Sequence, residues 1–112
     1  MADLEILQAV VPAGQTVSAP VGIGFKTPVA LSIPSGYTGG ALKFNASPDG
    51  GVTWQPLFDA TNTAVAITAP AAGSFIALNP TTFAGVNMLQ LAVTTASAVS
   101  TVIGLAVRTV SF

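Results

Sequence analysis

Residues 41–58 read ALKFNASPDGGVTWQPLF, and this stretch decides the fold: it holds two strand patterns, the tightest turn signal and the only tryptophan. Leu42, Phe44 and Ala46 alternate with Lys43 and Asn45, the period-two pattern of a strand with one face buried and the other wet. Pro48 presets its own φ, the Asp49 carboxylate can bond back to backbone N–H groups, and Gly50 and Gly51 accept positive φ without a Cβ clash. Val52 and Trp54 then resume on one face, with Thr53 and Gln55 on the other. The stretch is a predicted hairpin.

The turn also fits a named pattern. Ser47-Pro48-Asp49-Gly50-Gly51-Val52-Thr53-Trp54 matches S-x-D-x-G-x-T-W and so resembles the Asp-box hairpin of sialidases and many other β proteins. The resemblance implies scaffold rather than chemistry, with Asp49, Gly50 and Gly51 shaping the turn and Trp54 anchoring the core. A sialidase propeller is excluded, because it needs several repeated blades and a single box occurs in 112 residues.

That length allows one domain with a real core, spanning residues 1–112. Cysteine and histidine are both absent, which removes disulfides, thiolate chemistry, imidazole catalysis and the usual zinc or haem ligands. Only 6% of residues are charged, against roughly 25% in ordinary soluble domains. Nothing basic is concentrated enough to hold a phosphate backbone, so no nucleic acid is expected. From residue 60 to 107 no charge occurs, yet Pro70, Gly73, Pro80, Gly85 and scattered Thr and Ser break every apolar run short of the roughly 18 residues a spanning helix needs. No membrane partner is expected either. The acidic start, Met1-Ala2-Asp3-Leu4-Glu5, is unlike a secretory signal, and synthesis in a cytoplasm is the expectation.

Further strand patterns recur at the spacing of an all-β domain. Residues 4–11 form an extended run, Leu4, Ile6, Gln8 and Val10 on one parity and Glu5, Leu7, Ala9 and Val11 on the other, with both faces partly apolar. Residues 16–19 suggest a short edge strand; Val29, Leu31 and Ile33 share one face of the next. Val65 and Ile67, then Ile76 and Leu78, mark two shorter strands. Asn79 as N-cap, Pro80 at the first position and Gly85 beyond the end predict one helical turn that plugs an end of the domain with Phe83. Leu89, Leu91 and Val93 give the cleanest alternation, and Ile103, Leu105 and Val107 share one face of a last strand that, like the first, is apolar on both faces. About eight or nine short antiparallel strands predict a single-domain β-sandwich of jelly-roll type, with an immunoglobulin-like sandwich as the alternative.

Candidate chemistry is thin. Asp49, Asp59 and Asn62 have no spacing that matches an ordered calcium loop, and four carboxylates in all make neither a metal cage nor an acid–base pair with partners. No cofactor, no metal and no enzymatic activity are expected. Tyr37, in the loop of residues 35–40, reads as a cap over one end of the sandwich, and otherwise as an exposed aromatic for a sugar or a partner. A surface of Ala, Ser, Thr and Asn with little charge to keep neighbours apart points to subunit contacts. The contact candidates are Leu4, Ile6 and Leu7 in the first run and Val110 and Phe112 in the last.

From Leu42 to about Val93, the succession FNASPDGGVTW, LFDA, a Val/Ala/Thr strand, FIALNPTTFAG and MLQL is similar to small structural proteins of tailed bacteriophages. The similarity covers about half the chain and rests on turn and core residues. Members of that group often carry a basic residue in the strand before the last one, where Gln90 and Ala92 stand here, so charge-based docking is not implied. What the resemblance implies is a virion part: a head decoration or cement protein that binds the major capsid protein and its own copies, as a homo-oligomer and by expectation a trimer. The rival expectation is a carbohydrate- or receptor-binding module of a tail or fibre, with Trp54, Tyr37 and Phe25 as stacking rings.

Overall fold

The computed structural model describes residues 4–110. Its strands, in chain order, are β1 (Glu5–Val11), β2 (Val21–Gly22), β3 (Thr27–Ser32), β4 (Leu42–Ala46), β5 (Gln55–Pro56), β6 (Ala66–Ile67), β7 (Phe75–Ala77), β8 (Met88–Val93) and β9 (Thr101–Arg108), with a 3₁₀ turn at Pro80–Phe83. All pairings are antiparallel, in two sheets ordered β1-β9-β3-β7 and β2-β8-β4-β5, with β6 also on β4. First strand pairs with last, second with next-to-last, third with β7, and β4 with β5 and β6. That nested pairing is an antiparallel ribbon wound into two sheets, a jelly roll. An immunoglobulin sandwich would instead set the first two strands side by side in one sheet, and that alternative is overturned.

The inner faces supply the core. Leu42, Phe44, Leu89, Leu91 and Val93 from one sheet meet Ala9, Val11, Leu31, Ile103, Leu105 and Val107 from the other. In β9 Ile103, Leu105 and Val107 are buried as expected but Ala106 between them is buried too, whereas alternation along β4 and β8 delivers the burial it predicts. On β3 it does not, because a bulge between Pro28 and Ala30 shifts the register, leaving Val29 only half-buried while Leu31 and Ile33 are buried. Phe83 closes one end as expected, edge-on to Phe44 with ring centroids 5.2 Å apart. Asn79 caps the turn, its side chain accepting from the Thr81 N–H.

β5 and β6 are one interrupted strand. Gln55–Pro56 pairs with the last two residues of β4 and Ala66–Ile67 with the first two. Between them the chain leaves the sheet in a small excursion, held by a bridge between Phe58 and Ala64 and by Asp59. Residues 16–18 run irregularly beside β8: the Ser18 N–H donates to the Leu91 carbonyl, and the Ser18 hydroxyl accepts from the Leu91 N–H at 2.9 Å.

Candidate interaction surface

The register across the first sheet determines what its outer face presents. Ile6, Ala106, Ala30 and Ala77 form one row across the four strands, with Ala106 and Ala30 buried; Gln8, Gly104, Ser32 and Phe75 form the next; Val10 and Val102 a third. Arg108, at the end of β9, is the only charged side chain at these outward positions. The middle of the face is kept low by Gly104, where a Cβ would stand 3.0 Å from both Ile6 Cγ2 and Ser32 Cβ. Ile6, Val102 and Phe75 project from it into solvent.

The other sheet faces out differently. Lys43, Asn45, Gln90 and Ala92 occupy its centre, and Asn45 Nδ2 donates to Gln90 Oε1 across the strands. One outer face is therefore polar and the other nearly uncharged.

The contact residues expected from the sequence separate on the structure. Leu4 and Ile6 are about half-exposed, at 47% and 49%. Leu7 instead points inward and packs against the core, because it lies on the buried parity with Ala9 and Val11. Val110 is half-buried beyond the end of β9, and Phe112 lies outside the described residues.

The turn residues behave as a scaffold. Asp49 Oδ1 accepts from the Thr53 N–H at 2.9 Å and from the Ser47 hydroxyl, and Oδ2 accepts from the Thr53 hydroxyl at 2.7 Å. Those bonds, Thr53's first, hold its carboxyl below the ordinary carboxylate range. Gly50 and Gly51 take φ of 76° and 100°, which a side chain would strain. The strand after the turn is shorter than predicted, and Val52 stands in solvent. Trp54 is not a core anchor: it is half-exposed, outside the buried cluster, its Cζ2 facing Gly51 beside Met88. In the register of β5, Gln55 lies opposite Ala46, on the parity of Leu42 and Phe44, so Trp54 falls on the other parity, under its own turn and outside the core.

Asp59 makes a second closed loop, its Oδ1 accepting from the Thr61 hydroxyl and from the Thr61 and Thr63 N–H groups. These bonds, Thr61's hydroxyl first, hold its carboxyl low as well. Asp49 and Asp59 sit on separate loops, and among the described residues no group of acidic, histidine or cysteine side chains gathers to hold a metal ion. No helix among the described residues is long and apolar enough to cross a membrane. Tyr37 caps the sandwich end, its hydroxyl donating to the Gly40 carbonyl at 2.7 Å, and burial pushes its phenol up.

Other aromatics lie outward, Phe25 among them as the binding-module expectation requires. Phe25, Phe58 and Phe75 are exposed, Phe25 completely so at the tip of the turn before β3. Phe58 borders a shallow depression of about 380 Å³ with Asp59, Thr61, Asn79 and Thr81. Their exposure is a matter of placement, since these residues sit on a turn, a chain excursion and the outward parity of an edge strand.

Compared with known protein families, curated proteins and solved structures, the chain matches none of them.

Proposed function

We propose that the chain is a structural protein of a tailed-bacteriophage virion, a decoration or cement protein that lies on the outer head surface, contacts the major capsid protein and its own copies, and stabilises the shell. The observation that carries this reading is the outer face of the β1-β9-β3-β7 sheet, where Ile6, Val102 and Phe75 stand in solvent around Gly104 and Arg108 is the one charge. Short side chains lose little conformational entropy on contact, and exposed apolar side chains with a single charge beside them suit another protein rather than a small substrate. The jelly roll hosts many viral capsid domains, which adds an analogy at the level of fold. Self-association, by expectation around three-fold shell sites, is part of the proposal.

Copy number in purified particles tests it. Hundreds of copies per head, with added protein restoring heat resistance to heads lacking it, is the expected result. Absence from particles, together with no sedimentation with assembled heads, sinks it. A second reading, a carbohydrate- or receptor-binding module, draws on the depression beside Phe58, where an exposed ring adjoins a carboxylate and an amide. Glycan-array binding that disappears in Phe58→Ala, with no affinity for heads, is the result that would favour it.

A further inference from the structure

Strand β1 is an outermost strand, hydrogen-bonded to β9 on one side only. One bond reveals which of its backbone groups face the open side: the Ala19 N–H donates to the Val10 carbonyl at 3.0 Å. In an antiparallel ladder the N–H and C=O of one residue point the same way, and the direction alternates along the strand. Val10 therefore faces away from β9, and so do Gln8 and Ile6. The far side of the sheet obeys the same rule, since Leu78 donates to Val29 and Ser74 accepts from Ile33, both on the parity of the Leu31–Ile76 pair. Ala19 covers the edge at Val10. At Ile6 and Gln8, among the described residues, no strand pairs with the open side, and Leu4 and Ile6 are half-exposed there.

We infer that two copies of the chain pair antiparallel through this edge, with Ile6 opposite Ile6 of the second copy and Leu4 opposite Gln8. Three conditions fix the register. Outward-facing residues must meet outward-facing residues, so even positions pair with even positions. Sliding one way sets Leu4 against Val10, whose carbonyl Ala19 already occupies. Sliding the other way sets Glu5 directly against Glu5 of the second copy, and like charges in facing positions repel. The Ile6-centred register keeps the carboxylates apart, places Glu5 opposite Leu7 and confines the pairing to residues 4–8.

A second copy suits this edge because the open stretch is its own complement. A two-fold axis at Ile6 satisfies the Ile6 and Gln8 backbone groups of both chains, a self-complementary contact that closes at two. It also joins two four-stranded sheets into one continuous sheet and doubles the uncharged outer face. Long open edges are ordinarily blunted by charge or proline, whereas here Glu5 alone is charged and it is turned toward Lys26, 3.1 Å away. Such a contact links copies in pairs, and can join three-fold assemblies to one another without itself making a trimer.

The chain has no cysteine, so single cysteines report the register without background. Under mild oxidation, Ile6→Cys is expected to form a disulfide dimer at least about tenfold faster than Val52→Cys, an exposed site far from the edge, because facing Cα atoms in such a pair lie within disulfide reach. Leu4→Cys and Gln8→Cys should cross-link when mixed and not alone. Ile6→Pro removes an N–H that bonds nothing in β9, so its circular dichroism should be unchanged while its light-scattering mass falls by half. Equal cross-linking of Ile6→Cys and Val52→Cys, or an Ile6→Pro variant that is folded and keeps its mass, overturns the pairing. These experiments use the isolated protein, so their failure leaves head binding standing, and failure to bind heads leaves the pairing standing.

Discussion

At the residue scale, Ser18 stands in for a piece of strand. It is buried, and its hydroxyl both accepts from the Leu91 N–H and donates to the Ala19 carbonyl. Ser18→Ala leaves a buried Leu91 N–H unsatisfied and is expected to cost about 1–3 kcal/mol, seen as a lower urea midpoint and faster exchange at the Leu91 amide. Asp49 and Asp59 act at the surface through protonation. Each carboxyl is bonded as the anion, so its folded pKa lies below its unfolded value of 3.8. Their stabilisation is fully present above that value and is lost as pH falls through the lower folded one. The thermal midpoint should therefore drop below about pH 4, less steeply in a D49N/D59N double variant. Equal slopes in the two proteins would remove these loops as the cause. Asp49 is legible as a turn former because its bonds are local, within four residues. Ser18 carries no such signal, since its partner is 73 residues away.

At the scale of elements, burial rather than residue type sets energetic weight. Phe83 is buried against Phe44, so Phe83→Ala should cost about 3–5 kcal/mol, a large part of a small domain's total stability. Trp54 lies half-exposed under its loop, and Trp54→Ala should cost less than about 1.5 kcal/mol. Chemical denaturation of the two variants separates them; a Trp54 variant as weak as the Phe83 one would return Trp54 to the core. Whereas β9 buries Leu105, Ala106 and Val107 in succession, the strands β4 and β8 are legible from alternation because each buries one face. The bulge in β3 and the excursion between β5 and β6 are not, since both depend on where a neighbouring strand ends. β1 and β9 look alike in sequence, long and apolar on both parities. One is an edge and the other sits between two strands, a difference of pairing alone.

At the scale of the whole molecule, the two outer faces give the chain a polar side and a nearly uncharged one. Contacts made by the uncharged side have little to screen. The proposed self-association and head binding should each change by less than about threefold between roughly 0.05 and 0.5 M salt, where contacts between opposed charges would weaken strongly. A steep loss of association with salt, measured by sedimentation, would make a charged side chain, Arg108 on one face or Lys43 on the other, the main contact, and Arg108→Gln and Lys43→Gln tell them apart. Composition and local periodicity, which depend on the residues themselves and their near neighbours, determined that this is an all-β domain without histidine or cysteine chemistry, turned at Asp49 and plugged by Phe83. Only the tertiary structure decided between the expected jelly roll and the immunoglobulin-like alternative, put Leu7 in and Ile6 out, and left Trp54 outside. Those outcomes rest on pairings between residues far apart in the chain, and no local pattern encodes which strand a backbone N–H will meet.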